Sequence, residues 1–329
     1  MHRPAQGEAL MPACSTEVDI AALVYEATSQ IPRGMVSTYG DIASALGDKV
    51  AARAVGEILC HNPTPIVVPC HRIVYSDGSV GWYDGYGKGR ERKVQLLHSE
   101  GVEVDGERVA SFDAIRFRGF RIPPVLKQLR QEQELVRERI ADRDDFGKLR
   151  RVAGLDVSYE GQRAFSAIAI YDWESGELVE ERTMESTVKF PYIPTYLTFR
   201  EMPALRPLIR PEDGTVYLID GQGVLHPRGA GIASHIGTCL GIPTVGAAKS
   251  LLVGKVERPE AESSPIILDG QVAGHMLREG KKATYVSVGT GVSLGTATEI
   301  CSQLLDRGIP KPLRRAHDLA NKARKDAPA

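Results

Sequence analysis

The 329-residue sequence lacks the features that place a chain in a simple functional class at first sight. Lys and Arg number 41 against 42 Asp and Glu, so the net charge of -1 shows no basic excess of the kind that indicates nucleic-acid binding. No apolar run approaches the roughly 18 residues of a membrane-spanning helix, and no secretory signal is recognisable. The five cysteines are odd in number and show no C-x-x-C spacing, which favours reduced thiols. These absences predict a cytoplasmic protein without membrane contact.

Length and composition predict two folded domains. At ~150 residues per domain the chain has room for about two. Apolar residues are 42% and charged residues 25%, which is ordinary globular usage and excludes wholesale disorder. The arginine- and proline-containing stretch RFRGFRIPP interrupts the pattern. We therefore predict a first domain over residues 16–115, a linker over 116–123 and a second domain over 124–320.

The first domain is predicted to be mostly helical and to contain a helix-turn-helix. Thr38 caps a helix over Tyr39–Leu46, and Gly47 separates it from a second helix over Lys49–Cys60.

The second domain changes to strands alternating with helices, which predicts an α/β fold with a mixed sheet. A long amphipathic helix precedes it, from Leu126 to about Gly147. The basic tail Lys311–Lys325 has the pattern of a solvated helical face. The predicted strands are VAGLDVSY, AFSAIAIYD, VYLID, PTVGAA and TYVSVG.

Cys70 is the candidate nucleophile of the first domain. It follows an apolar segment, Pro65–Val68, that reads as a strand, and His71 is adjacent to it. A thiol becomes a nucleophile only as the thiolate, which a neighbouring base or cation can stabilise. A buried structural cysteine or a zinc ligand are the alternatives, although the Cys60-His61 and Cys70-His71 spacing matches no common zinc site.

Several motifs over residues 18–104 occur together and in order: IPRGMVSTYGDIASALG, AARAVGEILCHNPTPIVVPCHRIV, SDGSVGWYDG and KVQLLHSEGV. This part of the chain resembles the catalytic domain of the O6-alkylguanine-DNA alkyltransferases, a winged helix-turn-helix fold. The resemblance implies that Cys70 irreversibly accepts the alkyl group without a cofactor. It also implies that Glu100 and His71 activate the thiol through a water molecule.

The same resemblance implies how the domain binds duplex DNA. The damaged guanine has to leave the stack to reach the thiol. Arg53 would fill the vacated position, while small residues beside it allow close approach to the minor groove. The resemblance gives three further DNA- or lesion-binding residues: Tyr39 at the phosphate, Asn62 at the hinge and Tyr83 in the pocket loop.

Three acidic residues suggest a metal site in the second domain. Asp156 and Asp220 lie in apolar strands and Glu201 lies between them in the sequence. A carboxylate in such a setting is costly unless it is paired or binds a cation. Hard oxygen ligands favour Mg²⁺, with Mn²⁺ as the alternative. The other interpretation is that the three acids are unrelated.

The segments AGLDVSY, FPYIPTYLTFRE, LIDGQGVLHPRGAGIASHIG and GIPTVGAAKSLLVG over about residues 124–318 resemble endonuclease V. The resemblance implies an RNase H-like fold and Mg²⁺-dependent nicking of DNA at the second phosphodiester 3′ to deoxyinosine. It assigns Asp156, Glu201 and Asp220 to the metal. Asp156 and Asp220 are also assigned to catalysis, together with Lys249, which contacts the scissile phosphate.

Further residues of this half match lesion-handling positions. Tyr192, within the run Pro191–Pro194, matches a wedge that separates the strands, and prolines stiffen such a wedge. The pocket for the flipped base is implied at Leu197, Gly221, Gly223 and His226.

One position departs from the family pattern. Where the family usually reads S-P-G-H, with a histidine near the metal, this chain has Val288 and Thr290. Threonine cannot replace imidazole as a base, which predicts either a slower nuclease or a site that another group, such as water, completes.

The combined prediction is a monomeric, bifunctional DNA repair enzyme that acts on O6-alkylguanine and deoxyinosine in duplex DNA. The alternative is a lesion-binding alkyltransferase-like module fused to a weakened or RNA-directed inosine endonuclease. Cys70 within an intact PCHR argues against the first part of that alternative.

Overall fold

The structure, a computed structural model, describes residues 18–83 and 89–328 and divides them into two compact units. One unit consists of residues 18–130 together with 189–194, and the other of residues 131–188 and 195–328. The division falls inside a helix, Val125–Arg137, rather than in the predicted linker 116–123. Residues 116 and 117 are tied into the first unit, since Arg116 pairs with Asp41 and the amide of Phe117 donates to the carbonyl of Val36.

The first unit is mostly helical, as predicted. Its core contains Val36, Val74, Leu97 and Val102, all at most 1% exposed. Its elements are α1 (Ile20–Ser29), β1 (Ser37–Thr38), α2 (Tyr39–Ala45), α3 (Ala52–Cys60), β2 (Ile73–Val74), α4 (Arg90–Ser99), β3 (Val104–Asp105), β4 (Arg108–Val109) and the start of α5 (Val125–Arg137), with short 3₁₀ turns at Lys49–Ala51 and Cys70–Arg72.

The predicted helix-turn-helix is confirmed as α2 and α3. The side chain of Thr38 accepts from the amide of Asp41 and caps α2, and Gly47 adopts a φ of 106° in the turn. The predicted strand Pro65–Val68 is wrong. A proline at each end of the segment limits strand pairing, and the chain turns on itself with Ile66 at a φ of 79°.

The second unit contains a nine-stranded mixed sheet within residues 131–328, which confirms the predicted α/β class. The strands are β5 (Arg151–Glu160), β6 (Arg163–Asp172), β7 (Leu178–Thr187), β8 (Thr215–Ile219), β9 (Thr244–Ala248), β10 (Lys255–Val256), β11 (Ser263–Leu268), β12 (Gln271–Glu279) and β13 (Lys282–Thr290). They lie in the order β10-β11-β12-β13-β9-β8-β5-β6-β7. The helices are α6 (Leu197–Leu205), α7 (Ile232–Leu240), α8 (Leu294–Gln303) and α9 (Lys311–Asp326), and a short hairpin, β14 (Leu305–Asp306) and β15 (Ile309–Pro310), precedes α9.

Hydrophobic cores cover both faces of this sheet. Helices α6 and α7 contribute residues such as Met202 and Ile236 to one core, while α8 and α9 contribute Ile300 and Leu313 to the other. Strands β5, β8 and β9 are parallel. Their carboxyl ends therefore meet at one edge of the sheet, where ligands bind in open α/β folds.

Three sequence-based expectations need correction. Helix α5 ends at Arg137, about ten residues before the predicted end near Gly147, although Ile140 continues its apolar stripe. The basic tail is not only a solvated face, because Ala316 and Ala320 of α9 are fully buried. Cys60, Cys70 and Cys301 carry free thiols, but Cys239 is disulfide-bonded. No helix within the described part of the chain is long and apolar enough to cross a membrane.

Candidate active sites

A cavity of about 670 Å³ in the first unit contains Cys70 in its wall. Tyr39 and Arg53 line it from the helix-turn-helix, and Tyr83 lines it from the loop after β2. The structure thus brings together four residues that are far apart in sequence. The cavity is large enough for a single nucleobase and opens beside an exposed arginine.

Asn62 fixes the segment that carries the thiol. Its Nδ2 donates to the carbonyl of Val68 at 3.0 Å and lies 3.2 Å from Sγ of Cys70. Its Oδ1 accepts from the amide of Thr64 at 3.0 Å. One half-buried side-chain amide therefore contacts both the turn before Cys70 and the sulfur atom itself.

His71 is poised as a base by Glu100. Its Nε2 lies 3.1 Å from Oε1 of Glu100, and the side chain is 2% exposed. A carboxylate on Nε2 requires the N–H at that nitrogen, which leaves Nδ1 as the acceptor. Nδ1 is buried without a hydrogen-bond partner among the described residues. Burial lowers the pKa of His71 below its ordinary value, which keeps the ring neutral and able to accept a proton.

Arg72 holds Glu100 ionised. Its guanidinium donates to both carboxylate oxygens at 2.7 and 2.8 Å. Burial alone would raise the pKa of Glu100, but the hydrogen bonds from Arg72 and His71 lower it below the ordinary value. The sequence motif contained this arginine, but nothing in the motif assigned it to the carboxylate.

Lys93 of α4 is a buried amine that the sequence did not single out. The residue is 1% exposed, and within residues 18–83 and 89–328 its Nζ makes one long hydrogen bond, 3.5 Å to the carbonyl of Trp82. Burial lowers its pKa to about 7, an effect that a thiolate at Cys70 would oppose. A lysine on an otherwise polar helix gave no sequence signal of burial.

The positions predicted for DNA contact lie around the mouth of the cavity. Arg53 of α3 is exposed, and Gly56 one turn later lets the ring of Tyr39 approach the helix. The rings of Tyr39 and Tyr75 lie 5.9 Å apart, and burial raises the pKa of Tyr39 to about 12, so it stays a hydrogen-bond donor. Tyr83 is buried, with its ring edge-on to His71 at 6.5 Å.

In the second unit, parallel pairing places Asp156 and Asp220 side by side. Leu155 of β5 pairs with Ile219 of β8, and the amide of Asp220 donates to the carbonyl of Leu155. The residue that follows each member of this pair is an aspartate, Asp156 on β5 and Asp220 directly after β8. Burial, and then the charge of Asp156, raise the pKa of Asp220.

His317 of α9 completes the cluster and was missed by the sequence reasoning. Its Nδ1 lies 2.6 Å from Oδ2 of Asp156, and ligand atoms of Asp156, Asp220 and His317 lie within 4.8 Å of one another. Asn321 donates to Nε2 of the ring at 3.0 Å, and Ser158 donates to Asn321. The hydrogen bond to Asp156 raises the pKa of His317. The only sequence signal was a histidine in an amphipathic helix, which is compatible with many roles.

Glu201 lies close enough to both aspartates for their charges to affect its pKa. Burial raises its pKa to about 8, with further contributions from Asp156 and Asp220. The carboxyl group is also next to Tyr159, whose ring is covered by the guanidinium of Arg200 at 4.3 Å. The prediction that Asp156, Glu201 and Asp220 converge on one site is therefore compatible with the geometry, although His317 rather than Glu201 completes the tightest group.

Lys249 follows β9 and reaches the same edge of the sheet. Its Nζ lies 2.5 Å from Oδ2 of Asp220. Burial alone would lower its pKa, but Asp220, Asp156 and Glu201 together outweigh that effect and raise it, so the amine stays charged.

The residues of this cluster fit a divalent cation. Three acidic side chains converge while one lysine and one histidine oppose their charge, and burial, followed by the charges of Asp156 and Asp220, raises the pKa of Glu201. Oxygen-rich donor sets suit Mg²⁺ or Mn²⁺.

Thr290 does not lie at the metal cluster, so the concern that it replaces a metal-proximal histidine was wrong. Thr290 pairs with Thr244 at the start of β9, the end of that strand opposite to Lys249. Its hydroxyl accepts from the amide of Ala141 at 3.0 Å. The residue supports the fold at the end of the strands that lies opposite the metal cluster.

Of the predicted base-pocket residues, Gly221, Gly223 and His226 lie in the loop after β8, whereas Leu197 begins α6. His226 accepts at Nδ1 from the amide of Arg228 and is 6% exposed, and burial lowers its pKa to about 4. Arg228 in turn donates to Thr195, two residues before Leu197. These contacts bring the loop next to the start of α6.

The two pocket glycines are required by packing. A Cβ on Gly221 would meet the side chain of Ile232 at 2.4 Å, and one on Gly223 would meet the carbonyl oxygen of Val288 at 2.0 Å. The amide of Gly223 already donates to Ser287, and its carbonyl accepts from Gly231. Tyr192, the predicted wedge, is 59% exposed.

Comparison with known proteins gives matches to both halves. Residues 133–318 match the family model Endonuclease V, and residues 19–102 match that of the 6-O-methylguanine DNA methyltransferase, DNA binding domain. A bifunctional methyltransferase/endonuclease of Thermoplasma volcanium is 37% identical over 301 residues, which cover 92% of this chain and 89% of that protein.

Solved structures match the second unit. Endonuclease V from Streptomyces avermitilis is 33% identical, with a TM-score of 0.56 over 62% of this chain and 94% of its own. Endonuclease V from Ciona intestinalis, solved with a 24mer DNA containing an inosine followed by a ribo-adenosine, is 27% identical, with a TM-score of 0.53 over 61% and 98%.

Proposed function

The chain belongs to the family of bifunctional methyltransferase/endonucleases, and on that basis we propose that it repairs two kinds of damaged base in duplex DNA. The first unit transfers the alkyl group of O6-alkylguanine irreversibly to Cys70. The second unit nicks DNA at the second phosphodiester 3′ to deoxyinosine and uses Mg²⁺. The protein acts as a monomer.

The contact network around Cys70 is the observation that carries the transferase half. Nδ1 of His71 is free to take the thiol proton through a bridging water, because Glu100 holds the N–H at Nε2. Sγ then attacks the alkyl carbon, the bond from that carbon to O6 breaks, and its electron pair stays on the guanine, which regains a proton. The new thioether is stable, so each molecule reacts once. Arg72 stabilises the ionised Glu100 throughout.

Base access depends on the helix-turn-helix. The reacting oxygen lies within the duplex, so the nucleotide has to rotate into the cavity that contains Cys70. The exposed Arg53 fills the gap left in the base stack, and Tyr39 lies at the cavity wall, where it crowds the rotated nucleotide. Tyr83 packs against the base.

The cluster of Asp156, Asp220 and His317 is the observation that carries the nuclease half. These residues and Glu201 would hold the divalent ion, which when bound polarises the phosphate and makes water a stronger nucleophile. Lys249 supplies a fixed positive charge for the scissile phosphate. The loop of Gly221, Gly223 and His226, with Leu197, accepts the hypoxanthine, and Tyr192 separates the strands.

The test uses end-labelled duplexes that contain either O6-methylguanine or deoxyinosine, each with and without Mg²⁺. We expect methyl transfer in both conditions and nicking only with Mg²⁺. Cys70→Ser should abolish transfer and leave nicking unchanged, whereas Asp156→Ala should do the opposite. Transfer by the Ser variant, or nicking by the Ala variant, would refute the corresponding assignment.

A second set of substrates tests the RNA alternative. The Ciona intestinalis relative was solved with a ribonucleotide after the inosine, so a 2′-hydroxyl next to the lesion deserves its own substrate. Duplexes with deoxyinosine followed by a deoxy- or a ribonucleotide, and a single-stranded RNA with inosine, are compared at equal protein concentration. We expect the all-DNA duplex to be nicked; cleavage of the RNA alone would make the nuclease RNA-directed.

A further inference from the structure

A basic cleft of about 850 Å³ adjoins the metal cluster of the second unit. Lys249 and His317, which belong to the cluster, also form part of the wall of the cleft. The remaining cations of the wall come from two turns and from α9: Lys281, Lys282, Arg307 and Arg314. The cleft is therefore a positively charged extension of the candidate nuclease site.

Two of these cations carry uncompensated charge. Lys249 is paired with Asp220, and Arg314 with Asp306. Lys281 and Lys282, in contrast, have no ion-pair partner within residues 18–83 and 89–328, and both are exposed. Unpaired lysines that face a cleft are available to an anion from solution.

The backbone beneath these cations is fixed. The amide of Gly308 donates to Glu279 at 2.8 Å, and the carbonyl of Gly308 accepts from Thr284 at 2.7 Å. Gly308 has a φ of 77°, and a Cβ there would lie 2.5 Å from the Cβ of Lys282. The turn after β14 is thus locked against the hairpin that joins β12 to β13, and the backbone that carries the cations does not have to reorder when an anion binds.

The composition of the wall indicates what kind of anion the cleft receives. Ala283 and Ile309 are its apolar members, Asp318 is its acidic member, and the imidazole of His317, which is held by Asp156, is the aromatic ring among its lining residues. The lining contains no Phe, Tyr or Trp on which a base could stack. Repeated cations without base-reading groups suit a chain of phosphates. An acidic peptide would fit the charge equally well, but it would have no reason to end at a phosphodiester-cleaving centre.

We propose that this cleft binds the phosphodiester backbone of the strand that is nicked, next to the cleavage point. The proposal rests on the proposed nuclease function and adds a binding site for phosphates that are not cleaved. Lys281 and Lys282 contact the backbone and position the strand, while the metal cluster alone carries the chemistry.

The first experiment is lysine footprinting of the full-length protein with an acetylating reagent and mass spectrometry. A deoxyinosine duplex at saturating concentration should protect Lys281 and Lys282 several-fold, whereas Lys148 should react equally with and without DNA. Lys148 is exposed before the start of β5, remote from the cleft. Equal acetylation of Lys281 and Lys282 in both conditions would overturn the proposal.

The second experiment measures single-turnover nicking against protein concentration at several salt concentrations. For Lys281→Gln/Lys282→Gln we expect the half-saturating concentration to rise at least ~10-fold at about 50 mM salt, with the maximal rate unchanged. Loss of two phosphate contacts weakens the salt dependence, so this ratio should shrink about tenfold by about 200 mM salt. Lys148→Gln/Arg150→Gln removes the same charge away from the cleft and should behave as wild type.

The outcomes separate the two proposals. A wild-type protein that never nicks deoxyinosine DNA but shows protected Lys281 and Lys282 would refute the nuclease function and support the cleft. A wild-type protein that nicks, combined with a double variant of unchanged half-saturation, would refute the cleft alone. A loss of maximal rate at unchanged half-saturation would also refute it, because it would place the lysines in the chemical step.

Discussion

Gly154 is a position where one added methyl group should separate the two activities. It lies on β5 two residues before Asp156, so both face α9. A Cβ on Gly154 would lie 2.2 Å from the carbonyl carbon of Pro312 and 2.4 Å from the amide nitrogen of Leu313. These are backbone atoms that cannot rotate away. The Gly154→Ala variant therefore requires the start of α9 to move by about 1 Å.

That movement reaches the metal cluster through α9. His317 lies between one and two turns beyond the contact, and its Nδ1 is 2.6 Å from Asp156. A misplacement of about 1 Å at a catalytic group can cost about 100-fold in rate, and overpacking costs about 1–3 kcal/mol of stability. We expect the nicking rate of Gly154→Ala to fall about 100-fold. Transfer to Cys70 should be unchanged, because Cys70 belongs to the other unit.

The assay is single-turnover nicking of a deoxyinosine duplex with Mg²⁺, at a temperature well below the unfolding midpoint of each variant. Methyl transfer is measured on the same preparation. The matched control is Gly295→Ala in α8, where a Cβ meets nothing within 4 Å and the helix gains up to about 1 kcal/mol. Nicking by Gly154→Ala within about threefold of wild type would refute the link between the β5–α9 contact and the site.

Three further variants test individual residues. Lys93→Met should stabilise the first unit, because folding buries a charged amine. The pKa of Lys93 is about 7 in the folded state and 10.5 in the unfolded state. The free-energy cost of burying the charge is therefore complete below pH 7, falls as the pH rises and vanishes above pH 10.5. Denaturant unfolding should show a gain of up to about 5 kcal/mol at pH 6 and none near pH 11; a gain independent of pH would contradict this origin. Asn321→Ala should slow nicking about 10- to 100-fold, since His317 loses its hydrogen-bond partner, and an unchanged rate across a Mg²⁺ titration would remove Asn321 from the site. Thr290→Val should cost about 1–3 kcal/mol in thermal unfolding, because the amide of Ala141 loses its acceptor, while nicking stays unchanged; a large loss of nicking would return Thr290 to the active site.

The transferase half was largely predictable because its determinants are local. The Thr38 cap, the Gly47 turn and the PCHR motif each act over a few residues, and the helix-turn-helix follows from them. The burial of Lys93 was not predictable, because it depends on the packing of α4 against the rest of the unit and not on the polar sequence of that helix. The segment Pro65–Val68 was misread because its apolar composition resembles a strand, whereas the chain turns on itself at Ile66 and Pro65 pairs with Val68.

In the nuclease half, the sequence suggested the acids but not the full site. Asp156 and Asp220 stood out because a carboxylate within an apolar strand needs a reason. His317 did not stand out, because a histidine on a charged helix has many ordinary roles. Thr290 was predicted to lie near the metal, because a motif match does not show at which end of a strand a residue lies. Since β13 runs antiparallel to β9, Thr290 lies at the start of β9.

By itself, the sequence determined the two-unit organisation, the helix-turn-helix, the mixed sheet and the reactive residues that lie within short motifs, because periodicity and turn chemistry are local properties. Tertiary structure alone decided which distant groups meet. The register of β5 with β8 sets Asp156 beside Asp220, and the packing of α9 on Gly154 brings in His317. The hairpin between β12 and β13 presents Lys281 and Lys282 to one cleft, and the turn after β14 presents Arg307 to it. Such contacts depend on how the chain closes over long separations, and the pattern of neighbouring residues carries no record of that.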